Sequence, residues 1–274
     1  MSTRIEFALN HIAAPHFGAD RFFALARALG LTKVEIRNDL PGVPKADGTP
    51  AEEVRNAAQA QGVAILTINA LQRFNDWNDQ REAQAHDLAR YAKACGAKAL
   101  VLVPANDASF RLAENKRREG LREALRHLKP ILVENGLKGF VEPLGFAISS
   151  LRSKREAIEA IDATGGESVF LLVHDTFHHH LSGEAALFPE RTGLSHISGV
   201  TERALALTSL KDAHRVLVDK TDILGNLAQI DALRAGGYHG VFSFEPFAES
   251  IQRASDLRAR LEASMAHIAR QMAR

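Results

Sequence analysis

"SVFLLVHDTFHHHLSGE", residues 168–184, runs an apolar stretch into an acid and places Asp175 and four histidines within the positions 174–180. The apolar part reads as a short β-strand, and the polar part after it as a strand end leading into a new segment. Runs of the same kind occur along the whole chain: "RIEFAL" from 4, "KVEIR" from 33, "VAILTIN" from 63, "KALVLVP" from 98, "LKGFVEP" from 137, "LSHISGV" from 194 and "GVFSFEP" from 240. Between most of them lie stretches with helical periodicity, such as "DRFFALARALG", "AEEVRNAAQAQG", "DQREAQAHDLARYAKACG", "GLREALRHLKPILVENG" and "LAQIDALRAGG". Several close on a glycine suited to the position just past a helix.

Strand and helix alternating from end to end predict a parallel sheet covered by helices. Eight such units closing on themselves make a TIM (β/α)8 barrel, and 274 residues is near the roughly 250 typical of that fold. A doubly wound open sheet is the alternative, but no G-x-G-x-x-G follows the first run. With no linker, low-complexity tract or break in composition, residues 1–274 read as a single barrel domain. The amphipathic tail "SIQRASDLRARLEASMAHIARQMAR" reads as the last helix of the outer ring.

Hydrophobic residues make up 46% and charged residues 24%, ordinary for a globular protein with a sizeable core. Lys+Arg 34 against Asp+Glu 33 leaves a formal charge of +1, without the basic footprint of a nucleic-acid binder. Cys95 is the sole cysteine, which excludes an intrachain disulfide and a thiolate-rich metal site; it reads as packing in the helix before the fourth strand. Arg4 and Glu6 fall where a signal peptide needs its apolar core, and no apolar run approaches the roughly 18 residues of a membrane span. A cytoplasmic protein with no membrane partner is expected.

In a parallel barrel alternate strand residues face the interior, and chemistry gathers at the C-terminal ends of the strands. In "KVEIR", Val34 and Ile36 should face the helices, which turns Lys33, Glu35 and Arg37 inward. Glu35 and Arg37 then read as a mutually neutralising pair. By the same parity Phe242 and Phe244 face outward and Glu245 inward. The last four strands end in Glu142, Asp175, His196 and Glu245. An acid at a strand end is commonly a helix N-cap, but three carboxylates brought together repel by up to about 4 kcal/mol per pair at a surface-like dielectric. A divalent cation resolves that conflict, and oxygen-rich ligation with one imidazole suits Mn²⁺, Mg²⁺, Co²⁺ or Zn²⁺.

The segments "VEIR", "TINALQRFND", "LVLVPAND", "VEPLG", "HDTFHHHLSG", "SHISGV", "AHRVLV" and "FSFEPF" resemble, in order and over nearly the whole chain, the xylose-isomerase-like TIM-barrel superfamily. The "NAL..FN" and "D-[ST]-F-H-x-H" details are most similar to its inosose (2-keto-myo-inositol) isomerase branch, an enzyme of inositol catabolism. The resemblance implies that Glu142, Asp175, His196 and Glu245 bind one divalent metal ion, and that His178 and Arg215 bind substrate oxygens beside it. After Arg215 the sequence departs from the P-G-x-G-x-[IV]-[DN] loop frequent in the family: "VDKTDILGNLAQIDAL" has Gly225 and Asn226 but no Pro-Gly pair.

Isomerising a keto-polyol requires removing a proton α to the ketone, stabilising an enediolate and returning a proton one carbon along. Glu142 and Glu245 are the candidate acid/base pair, with Asp175 and His196 as ligands only. Asn69, at the end of the third strand, and Trp77, in the loop beyond, are candidates for lining the pocket; packing against the barrel rim is the other reading of Trp77. His174 should face the helix layer, with His179 and His180 in packing or solvated roles. The expected partner is a small keto-polyol or sugar; self-association into a homo-oligomer is left open.

Other functions share this frame. A ketose 3-epimerase or hydroxypyruvate isomerase of the same superfamily would use the same residues with a different pocket rim. A repair nuclease of the endonuclease IV type needs further histidines, yet the third strand ends in Asn69, the fourth runs into Pro104 and Ala105, and "ISGVTERAL" after His196 has no D-x-H pair. A non-enzymatic sugar-binding barrel predicts that the four candidate ligands do not converge.

Overall fold

In the computed structural model, which describes residues 5–40, 42 and 48–273, each of the eight runs contains a strand. They are β1 (Phe7–Asn10), β2 (Lys33–Arg37), β3 (Ala64–Gln72), β4 (Ala99–Val103), β5 (Lys138–Val141), β6 (Phe170–Asp175), β7 (Thr192–Ile197) and β8 (Phe242–Phe244). All neighbours pair in parallel in sequence order and β8 closes on β1. The expected TIM barrel is the fold observed. Arg4, at the start of the first run, lies outside the described residues.

Helices α1 (Ala19–Ala28), α2 (Ala51–Ala60), α3 (Asp79–Cys95), α4 (Glu114–Glu134), α5 (Lys154–Ala163), α6 (Thr176–Ser182) and α7 (Asn226–Ala235) lie between the strands. α8 (Glu249–Gln252) and α9 (Leu257–Met272) come after the last. Their ends obey local chemistry. The Asn78 side chain accepts from the Arg81 N–H to start α3, and Gly96, at φ +85°, ends it in the left-handed region. The tail packs as expected, with Leu257, Leu261 and Ile268 of α9 buried. Among the described residues no helix is long and apolar enough to cross a membrane.

Parity sorts the strands as the sequence reading requires. Val34, Ile36, Phe242 and Phe244 pack outward in the large core beneath the helices, together with Cys95 of α3. A smaller apolar cluster of Ala8, Ala70, Val101, Val173, Leu194 and Val241, with Phe140 beside it, fills the barrel interior. Toward the C-terminal ends of the strands the buried side chains turn polar: Asn10, Glu35, Thr67, Asn69, Glu142, Asp175, His196, Ser243 and Glu245. Apolar and polar residues share the interior, with Ala70 directly following Asn69 on β3 and Val101 of β4 paired with Asn69.

β3 departs from the expected length. It runs on to Gln72 with a register shift between Asn69 and Leu71, so Asn69 sits inside the strand rather than at its end. Two glycines let the loops after β5 and β7 pack closely on neighbouring segments. A Cβ on Gly145, after β5, would lie 2.4 Å from the His178 carbonyl oxygen of α6. One on Gly199, after β7, would lie 2.8 Å from the Leu217 carbonyl oxygen, where Gly199 and Val216 exchange two backbone hydrogen bonds of 2.8 Å.

Candidate active site

Glu142, Asp175, His196 and Glu245 come together at the top of the barrel, each at most 4% exposed, with one ligand atom from each lying within 4.8 Å of all the others. β6 delivers Asp175 as its last residue and β7 delivers His196; Glu142 and Glu245 come immediately after β5 and β8. His196 is the hub. Its Nδ1 lies 2.9 Å from Glu142 Oε1, 3.3 Å from Glu245 Oε2 and 3.9 Å from Asp175 Oδ2. Its Nε2 lies 3.1 Å from Glu35 Oε2.

The two readings of an acid at a strand end are both realised in Asp175. One oxygen caps α6 by accepting the His178 backbone N–H at 2.8 Å. The other accepts from Arg215 Nη2 at 2.5 Å. Arg215, 1% exposed, also donates to Glu245 Oε2 at 2.8 Å, to Ser198 Oγ at 2.9 Å and to Asp212 Oδ1 at 3.2 Å. The backbone pairing of Gly199 with Val216 holds its chain segment against the end of β7. Phe177 and Phe247 lie 5.1 and 4.7 Å from its guanidinium carbon, within cation–π reach.

Glu35 and Arg37 both point inward, but they do not pair with each other. Residues two apart on a strand are separated by about 6.6 Å along it, so the two side chains occupy different heights. Glu35 lies deeper and accepts from Thr67 Oγ1 at 2.7 Å, from Ser243 Oγ, and from Asn10 Nδ2 at 3.4 Å as well as facing His196. Arg37 lies higher and donates to Glu245 Oε1 at 3.0 Å and to both oxygens of Asp39 at 2.8 Å.

Of the remaining candidates, Asn69 joins the cluster, its Nδ2 lying 3.4 Å from Glu245 Oε1. His178 sits beside it in α6, buried edge-on against Phe146 and Phe177 at 5.1 and 5.2 Å. Its Nδ1 is buried without a hydrogen-bond partner, and a polar atom in that condition calls for a ligand or an ordered water. Trp77 is engaged elsewhere: its ring stacks on His127 of α4 at 5.3 Å and packs on the core beneath the helices. Asn10 was not singled out in the sequence, although it lies two residues past inward-facing Ala8 and donates to Glu245 at 3.3 Å.

Four buried carboxylates (Glu35, Glu142, Asp175, Glu245) thus face two guanidiniums and one imidazole. Burial works against ionisation of Glu245, yet His196, Arg215 and Arg37 hold its carboxyl well below the usual carboxylate range. Burial pushes Glu142 up, and Glu245 and Asp175 push the same way against the pull of His196. His196 is itself carried well above its ordinary value, the carboxylates of Glu245, Glu35 and Glu142 overcoming burial. A cluster that needs an imidazolium to balance its carboxylates is suited to a divalent cation, and three carboxylate oxygens with one imidazole nitrogen are a fitting donor set.

The model of the xylose isomerase-like TIM-barrel family matches residues 23–271. Among solved structures, a xylose isomerase domain containing protein from Salmonella typhimurium LT2 is 33% identical, with 100% of both chains covered and a TM-score of 0.89. An IolI protein solved with a bound zinc atom is 19% identical over 98% of this chain and 99% of that one, TM-score 0.86. D-Psicose 3-epimerase from Clostridium cellulolyticum H10, solved with D-tagatose, is 14% identical over 96% and 99%, TM-score 0.73. The likeness to the last two is one of fold. A comparison with curated proteins finds no match. Fold, order of strand-end residues and family model agree: the chain belongs to the xylose isomerase-like TIM-barrel family.

Proposed function

We propose that the chain is a divalent-metal-dependent isomerase of keto-polyols, with 2-keto-myo-inositol as the first substrate to test. It moves a proton between neighbouring carbons through an enediolate. The observation that carries this reading is the pair of buried carboxylates, Glu142 and Glu245, that both approach His196 Nδ1, at 2.9 and 3.3 Å. Glu142, Asp175, His196 and Glu245 would hold the cation; that an IolI protein of the same fold is solved with a bound zinc atom supports a metal here. When bound, the cation supplies Lewis-acid stabilisation of negative charge on the ketone and its neighbouring oxygen.

The chain's own groups do the rest. Glu142 and Glu245, reaching the site from strands separated by two others, take up and return the proton, a role that needs two carboxyl groups of unequal proton affinity. Their surroundings provide the inequality, since Glu245 has two guanidiniums beside it at 2.8 and 3.0 Å. The fixed charge of Arg215 offsets negative charge developing on the substrate. His178, whose Nδ1 is buried without a hydrogen-bond partner, would bind a substrate oxygen. The working partner is a small molecule.

The test is hydrogen–deuterium exchange at the carbon α to the ketone of 2-keto-myo-inositol in D₂O. Glu142→Gln and Glu245→Gln should each abolish exchange while the circular dichroism spectrum stays native. Near-normal exchange in both variants would sink the assignment. An epimerase would use the same residues, so tagatose, fructose and hydroxypyruvate belong in the same panel, with product identification deciding the reaction.

A further inference from the structure

Glu35 has no role in the proton transfer, and its burial needs an explanation. It is wholly buried on β2, and its carboxylate meets neutral donors and His196. An ionised carboxylate only accepts hydrogen bonds. Thr67 Oγ1 and Asn10 Nδ2 donate to it, Ser243 Oγ donates through a short hydrogen bond, and His196 Nε2 faces Oε2 at 3.1 Å. The atom at His196 Nε2 must therefore be an N–H. The three remaining carboxylates of the cluster converge on the opposite ring nitrogen, Nδ1.

We propose that Glu35 is the positioning carboxylate of the metal centre: it holds His196 with the proton on Nε2 and thereby presents Nδ1 as the atom that binds the cation. This rests on the reading of the cluster as a metal site and adds to it which nitrogen binds and what orients it. Partners of this kind fix the tautomer and ring direction of a ligating histidine. The surroundings of Glu35 suit the task. Its hydroxyl and amide partners come from β1, β3 and β8, so the carboxylate is held from three other strands and cannot swing toward the cation. Arg37, which would compete for it, is committed to Asp39 and Glu245. A glutamine at 35 could turn its amide N–H toward Nε2, favour the opposite tautomer and put a proton on the nitrogen that must ligate.

The full chain labelled with ¹⁵N-histidine and loaded with Zn²⁺ provides a test without mutation. The His196 Nε2 should carry a slowly exchanging proton and Nδ1 should show the shift of a metal-bound nitrogen; the reverse arrangement overturns the proposal. In parallel, Zn²⁺ affinity measured by competition with a chromophoric chelator should fall by about 10–100-fold in Glu35→Gln, with circular dichroism confirming the fold. A folded Glu35→Gln protein with wild-type affinity also overturns it. Failure of the wild type to take up Zn²⁺ refutes the metal reading itself, whereas uptake by the wild type with no loss in the variant refutes the role of Glu35 alone.

Discussion

His174 and Asp175 are neighbours on β6, yet they belong to two polar clusters on opposite sides of the sheet. Asp175 faces the barrel interior, where four carboxylates meet two guanidiniums and an imidazole. His174 faces the helices, where its Nδ1 lies 3.1 Å from Lys154 Nζ and its Nε2 lies 2.9 Å from Gln229 Oε1. The same ammonium lies 2.8 Å from His179 Nδ1. Both imidazoles are kept neutral mainly by burial, helped by the Lys154 charge: His174 well below its ordinary value, His179 down to about 4.

The outer cluster is rich in histidine and complete in itself. Each Nδ1 lone pair is already turned to an ammonium, so neither imidazole can offer it to a metal. The inner cluster has one histidine and an excess of carboxylates, and that imbalance is what a cation corrects. Density of metal-ligating residue types is therefore a poor guide. Unbalanced charge held in place is the better one.

The largest test of this contrast is to unbalance the inner cluster further. Arg215→Met removes the cation between Asp175 and Glu245, both buried, and should cost about 3–5 kcal/mol of stability in metal-free protein by urea denaturation. Saturating Zn²⁺ should recover part of that loss, since binding to the native state alone stabilises it. A variant as stable as wild type without metal would mean that the inner carboxylates are not under strain.

A smaller effect is expected outside the barrel. Burial lowers Lys154 to about 8 from its ordinary 10.5, against the raising pull of Glu184 and Asp175. The other groups facing it, His174 and His179, stay neutral in this range. Between these two values the unfolded chain binds more protons than the folded one, so stability from this group rises with pH. Above the unfolded value the group carries no cost; the cost grows as pH falls through the folded value and is complete below it, on the order of 3 kcal/mol. Lys154→Met should flatten that rise in urea titrations between pH 8 and 10.5. An unchanged slope would contradict the burial argument.

The smallest effect separates the clusters most cleanly. Lys154→Met should leave Zn²⁺ affinity within about twofold of wild type, because the Lys154 ammonium hydrogen-bonds His174 and His179 and reaches Asp175 only through its charge. A drop as large as that expected for Glu35→Gln would show that the two sides of β6 act as one unit.

Much of this is legible in the sequence. Eight short runs separated by helical stretches specify the barrel because the two periods differ, and parity within a strand separates Glu35 from Val34 and Asp175 from His174. Partner choice is less legible, because it depends on height within the barrel. Glu35 and Arg37 share a strand face but stand on different layers, and register shifts in β2 and β3 change which residues stand level. Trp77 sits in a loop that has no period to read, and only packing shows that it leans on His127. The link between His179 and Lys154 joins α6 to α5, a contact that neither helix's own pattern encodes.

In the proposed function Glu142, Asp175, His196 and Glu245 together hold one divalent cation. Native mass spectrometry after equilibration with Zn²⁺ or Mn²⁺ tests it directly, using wild type and a Glu142→Gln/His196→Gln double variant whose fold is verified by circular dichroism. The wild type should retain one equivalent per chain and the folded double variant none at the same free metal. No uptake by the wild type, or a full equivalent kept by the double variant, would rule out a metal site made of these four residues.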